Sequence, residues 1–158
     1  MKPESVTVKN IEAAFAGEPM AHIKYMYFAK ICREQGDIDT AKVFEETAAQ
    51  EVQHAFGHLD LLYPKADMTP AKALDMAIAG ETYEYTEMYP TVRKTAEAEG
   101  NAAAVAEMDE QIEESKVHAA QFTATLVKAQ KRFAALAKVE ERHANHYQAQ
   151  LDKVKAAA

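Results

Sequence analysis

Residues 41–62 read AKVFEETAAQEVQHAFGHLDLL, and their periodicity decides the fold. Phe44, Thr47, Ala48, Glu51, Ala55, His58 and Leu62 fall on one face of a helix. Glu51 and His54 form an ExxH pair, three residues apart and therefore one turn from each other on the same side. A carboxylate and an imidazole in an apolar stripe are costly to bury unless something compensates their charge and polarity. A metal ion is the most effective such partner. Alone the motif is weak, because in a Glu-rich chain it arises by chance about as often as not, and the alternative is a packed His beside a solvated Glu.

The rest of the chain supplies the context. It has 158 residues, one domain's worth, with 5 Gly and 5 Pro, and it is rich in Ala, Glu, Lys, Gln and Met. That composition predicts an all-α protein with a real core. The net charge of −7 comes from interspersed acids and bases. No basic groove for nucleic acid and no Lys/Arg-rich face for an anionic membrane is present. No run is long enough to span a bilayer, and MKPESVTVKN does not read as a leader, so a cytoplasmic location is expected. Cys32 is the single cysteine, which excludes an internal disulfide, a four-cysteine metal site and a CxxC pair within these residues.

Four helical segments are expected, at about 6–35, 40–62, 70–99 and 101–155 of a single domain spanning 1–158. The first carries Ile11, Phe15, Ile23, Met26 and Phe28 at helical spacing, with Glu18 in the inward stripe and Tyr25 two turns on, and Gly36 stops it. Thr69-Pro70 caps the third, which places Glu81 and Glu84 among Leu74, Ile78, Tyr85 and Met88. Pro90 should kink that helix after Tyr89. Beyond Gly100-Asn101 one stripe runs from Val105 to Tyr147, as one very long helix or as two meeting near 129. It holds a repeat at a shift of 25 residues, which aligns His118 with His143 and Leu126 with Leu151. The second copy keeps ExxH as Glu140 and His143; the first has Ser115 in the glutamate's place, with Glu114 beside it.

The inward polar set is thus Glu18, Glu51, His54, Glu81 and Glu84, completed by Glu140 and His143 or else by Glu114 and His118. So many acids inside a bundle are destabilising unless ionised and bound to cations. Bridging glutamates with one imidazole per metal suit two iron or manganese ions, and the pattern is that of carboxylate-bridged di-metal bundles. The segments AAFAGEPMAHIKYMYFAK (13–30), FEETAAQEVQHAFGHL (44–59), AIAGETYEYTEMYP (77–90) and RFAALAKVEERHANHY (132–147) resemble the four helix signatures of rubrerythrins, in particular the short, sulerythrin-like members without a rubredoxin domain. The resemblance implies a ferritin-like four-helix bundle with an elongated or extra C-terminal helix. It implies two Fe ions (Mn or mixed Fe/Zn as variants), no haem and no rubredoxin-type iron. Glu18, Glu51, His54, Glu81 and Glu84 become ligands, and Tyr25 and Tyr89 hydrogen-bond donors at the site. The implied reaction is reduction of hydrogen peroxide to water, with electrons from an external rubredoxin-like protein or flavoprotein reductase. A ferroxidase or iron-storage protein using dioxygen, and a metal-free helical interaction module, are the alternatives.

Two features depart from that pattern: the missing cysteines and the longer last helix. Counting from Gly100 favours His118, whereas the motif favours Glu140 and His143. A bundle with parallel second and third helices also needs a link of roughly 30 Å, set by the helix rise of ~1.5 Å per residue. Seven connecting residues at ~3.5 Å each reach only about 25 Å. Exchange of helix pairs in a homodimer relieves this, and the repeat offset of about 38 Å approaches the expected separation of two such sites.

Overall fold

The computed structural model describes residues 5–157, and residues 1–4 of the leader reading and both ends of the 1–158 domain lie outside them. Five α-helices follow one another: α1 (Val6–Glu34), α2 (Ile38–Leu62), α3 (Pro70–Tyr83), α4 (Tyr89–Ala98) and α5 (Ala102–Ala156). A π-helical stretch, Glu84–Met88, joins α3 to α4, so the two form one interrupted helix. The all-α, four-helix expectation is met among the described residues, and the last helix is elongated. The chain divides into two compact units, the first ending at Met68 and the second starting at Thr69. Each is a helical hairpin.

In the first hairpin α1 packs along α2. Gly36, at φ +85°, turns the chain where an L side chain would be strained. Asp37 accepts a hydrogen bond from the Thr40 amide at 3.1 Å and caps α2. That cap starts the helix at Ile38, two residues before the expected Thr40. The facing stripes are Ile11, Phe15, Glu18, His22, Tyr25, Ala29 and Cys32 on α1, and Ala41, Phe44, Ala48, Glu51, Ala55, His58 and Leu62 on α2. Both alternate three and four residues, the spacing of coiled-coil packing. Ala29, Ala41 and Ala48 are essentially sealed, because only a methyl fits where the helices come closest. The expected α1 stripe is corrected in part: Ile23, Met26 and Phe28 are exposed in this hairpin. Their spacing is helical, but the face that meets α2 is the one through Glu18 and His22. His22 Nδ1 donates to the Ala48 carbonyl at 2.8 Å, and Arg33 grips Glu45 through two bonds of 2.7 Å. Pro19 sits inside α1 without ending it, although it leaves the Phe15 carbonyl without its usual donor.

In the second hairpin α5 runs back along α4 and α3. Thr69 and Asn101 cap α3 and α5 through bonds to the Lys72 and Ala104 amides. The expected kink after Tyr89 is displaced: the irregular turn precedes it, where the Tyr89 amide bonds back to the Glu84 carbonyl. Pro90 cannot donate and its ring crowds the carbonyl four residues earlier, and the helix widens through Glu84–Met88 just before it. Of the two readings of the last segment, the single long helix is the one found: α5 is continuous for 55 residues. No Gly or Pro interrupts it, and nothing local can break it. Ser115 and Ala119 form its buried centre.

The alanine-lined seam predicts that Ala48→Leu overpacks the first hairpin and costs about 1–3 kcal/mol, measured by urea unfolding; a change at exposed Ala134 should be near neutral. Asp37, Glu45 and Asp109 are held below the ordinary carboxyl range by hydrogen bonds from Thr40, Arg33 and Arg93 respectively. A depressed folded value stabilises above the unfolded value and is lost as pH falls through the folded one. Asp109→Asn should therefore lower the melting temperature at pH 7, with the gap to the parent closing towards pH 3. A gap that stays constant contradicts the assignment.

Candidate metal centre

Each hairpin gathers a set of carboxylates and imidazoles. In the first, Glu18 on α1 faces Glu51 on α2 across the seam, and one ligand atom from each of Glu18, Glu51 and His54 lies within 4.8 Å of the others. His54 Nδ1 stands 2.9 Å from Glu51 Oε2 and 3.7 Å from Glu18 Oε2. The two carboxylates are half-buried while the imidazole is exposed. The ExxH spacing thus does what a helix dictates: His54 turns back over Glu51, one turn away. His58 adds its Nε2 at 3.5 Å from Glu18 Oε1. His58 is not among the ligands expected from the sequence, although it lies seven residues after Glu51 on the same stripe. Tyr25 is half-buried with its ring 5.9 Å from that of Phe44, and it lies about 10 Å along α1 from Glu18.

In the second hairpin Glu81 lies in the last turn of α3 and Glu84 opens the π-helical stretch, and both face α5. Ser115 Oγ donates to Glu84 Oε2 at 3.0 Å. His118 Nδ1 lies 3.4 Å from Glu81 Oε2, close enough for charge attraction. The same Glu81 oxygen is buried and makes no hydrogen bond, so the contact lacks hydrogen-bond geometry. An orphaned carboxylate oxygen costs about 1–3 kcal/mol or more, which a bound cation would recover. Tyr89 has its phenol pKa raised, first by burial and then by Glu84, Glu81, Glu107 and Glu114, so it keeps its proton.

The rival last-helix pairs are placed differently. His118 lies against Glu81, and Glu114 is exposed beside the buried Ser115. Glu140 and His143 sit on the exposed far half of α5, 3.4 Å from each other. The 25-residue offset puts them about 38 Å along the helix from Ser115 and His118. The donor set in both hairpins is carboxylate oxygen with imidazole nitrogen, which fits iron or manganese. In the first hairpin the three ligand atoms already converge. In the second an acidic oxygen is left for a cation to satisfy.

A rubrerythrin family model matches residues 9–126. Nigerythrin of Nitratidesulfovibrio vulgaris is 39% identical over 111 residues, covering 63% of this chain and 55% of its own length. Rubrerythrin of Porphyromonas gingivalis is 37% identical over 107 residues, covering 61% and 54%. The chain therefore spans about half the length of these curated relatives. Among solved structures, nigerythrin in its fully reduced, all-ferrous state is 34% identical, covering 81% of this chain and 70% of that one, at a TM-score of 0.41. None of the described helices is long and apolar enough to cross a membrane. With three quarters of its length matched by the family model, the chain belongs to the rubrerythrin family, a group of iron-binding, ferritin-like helical proteins.

Proposed function

We propose that this protein is a di-iron peroxidase that reduces hydrogen peroxide to water with electrons from a separate donor protein. The convergence of Glu18, Glu51 and His54 in the first hairpin carries the proposal. The ligands proposed from the second hairpin are Glu81 and Glu84, with Glu140 and His143 or else Glu114 and His118 from the last helix. When bound, the iron pair supplies the two electrons consumed in HOOH + 2 H⁺ + 2 e⁻ → 2 H₂O.

The chain's own side chains have distinct parts in this reading. Glu18 and Glu51 present half-buried carboxylates on facing helices, and His54 aims Nδ1 at both. Ser115 fixes one oxygen of Glu84 and leaves the other to coordinate or shift. Tyr89, kept protonated by burial and by the acids around it, is a hydrogen-bond donor at the site. Tyr25, further along α1, orients groups at its edge. The 158 residues contain one cysteine, so a four-thiolate iron centre in the electron path must lie outside them. A homodimer with exchanged hairpins in the cytoplasm completes the proposal.

Protein made in iron-rich medium should carry about two irons per chain. The double variant Glu51→Ala/His54→Ala should lose most of that iron, by elemental analysis. Peroxide should oxidise the fully reduced protein faster than dioxygen does; the reverse order assigns a ferroxidase, and an iron-free protein indifferent to the double substitution leaves only a helical scaffold. Tyr89→Phe should lower peroxide turnover about tenfold, the worth of one hydrogen bond in the transition state, with iron content unchanged.

A further inference from the structure

Charge is sorted along the second hairpin. Residues 69–127 carry 4 Lys and Arg against 11 Asp and Glu, a net −7, whereas residues 128–158 carry 7 against 3, a net +4. Read along the chain these charges are interspersed; wound on a helix they separate. At ~3.6 residues per turn, Lys128, Lys131, Arg132, Lys138, Arg142 and Lys153 fall within about 120° of the circumference of α5. Glu140, Glu141 and Asp152 fall outside that arc. All six cations are exposed, and none has an acidic partner among the described residues. The result is a Lys/Arg-rich face about 37 Å long, which amends the expectation of interspersed charge alone.

Helix stability does not account for this face. Cations three or four residues apart repel each other, as Lys128 does Lys131 and Arg132, and Lys138 does Arg142. Elsewhere the chain pairs its cations: Arg33 with Glu45, Arg93 with Asp109 and Lys116 with Glu113. The helix dipole favours positive charge only in the last turn, which covers Lys153 and not the five cations from 128 to 142. The face points away from the stripe through Phe133, Leu136 and Tyr147, so a helix laid on that stripe leaves it in water. A membrane surface is the wrong occupant, because the face offers nothing apolar larger than the half-buried Val139 to insert.

We infer that this face docks the acidic surface of the protein that delivers electrons to the iron site. The partner's role as donor rests on the peroxidase reading; the docking itself does not. The half of net −7 repels an anion and the half of net +4 attracts it, so the field of the hairpin steers an acidic protein to one end and orients it there. A nucleic acid draws its affinity from many phosphates in a row, and six cations in single file beside an acidic half offer it few. A compact protein meets the same row with a few carboxylates, whose pairing speeds encounter and fixes register. Glu140 and His143 sit on the same turns, across the helix. A carrier seated on Lys138 and Arg142 therefore stands about one helix diameter, 10–12 Å, from one of the two last-helix pairs proposed for the iron.

Calorimetric titration of the full-length protein with an acidic rubredoxin, in iron-loaded and iron-free forms, tests this. Binding should weaken about tenfold as salt rises from low to physiological ionic strength. Lys128→Glu/Lys131→Glu/Lys138→Glu should raise the dissociation constant about tenfold or more and slow electron transfer from the reduced rubredoxin by a like factor. Peroxide should oxidise the chemically reduced variant at the parent rate. Lys24→Glu/Lys30→Glu/Lys94→Glu makes the same change in net charge at exposed positions elsewhere, and should alter binding by no more than about twofold. Binding that the iron-free protein retains keeps the docking separate from the fate of the peroxidase reading. Equal losses in the two triple variants, indifference to salt, no binding to either form, or tighter binding of a short DNA duplex than of the rubredoxin overturns the inference.

Discussion

Holding ionised carboxylates against a helix seam is the constraint on which the rest of this structure depends. Glu18 and Glu51 replace apolar residues at the centre of the first hairpin, and Glu81 and Glu84 do so in the second. In water each acid is solvated at no cost. Between helices each must be neutralised, hydrogen-bonded or paired with a cation. The protein does some of this itself: His54 sits on Glu51 and Ser115 donates to Glu84. It leaves one Glu81 oxygen buried and without a hydrogen-bond donor, a charge that the side chains around it do not satisfy.

The scaffold is suited to carry that strain. Alanines at 29, 41 and 48 draw α1 and α2 close enough that Glu18 and Glu51 must share one small space. His22 and the Arg33–Glu45 pair fix the hairpin on the same side of the cluster, so the carboxylates cannot relax by sliding apart. In the second hairpin the widened turn at Glu84–Met88 plays the corresponding part. Pro90 removes a backbone donor there, and the π-helical turn before it carries Glu84, which with Glu81 faces α5.

Much of this was legible in the sequence. The α2 stripe through Ala48, Glu51 and Ala55 is the buried one, because a three-four periodicity with small residues leaves a helix a single face to bury. The stops at Gly36 and Gly100 follow from positive φ, which glycine tolerates. The α1 stripe was less legible. Ile23, Met26 and Phe28 looked inward by hydrophobicity, yet the seam chose the face with Glu18 and His22, and periodicity alone cannot rank two apolar faces. His58 was missed for a related reason, since a lone histidine carries no mark of the carboxylate that will stand opposite it.

By itself the sequence determined the helical segments, their glycine stops, the ExxH turns and the resemblance to rubrerythrins, because these depend on local propensity, capping and short spacings. Tertiary structure decided which imidazoles meet which acids. His118 reaches Glu81 although its own ExxH is broken at Ser115, whereas His143, in an intact motif, stands 3.4 Å from the Glu140 of its own helix. The difference is one of reach. A motif sets the spacing of two side chains along one helix, but a second helix must end alongside it before they share a site, and α3 begins at Pro70, short of the far half of α5.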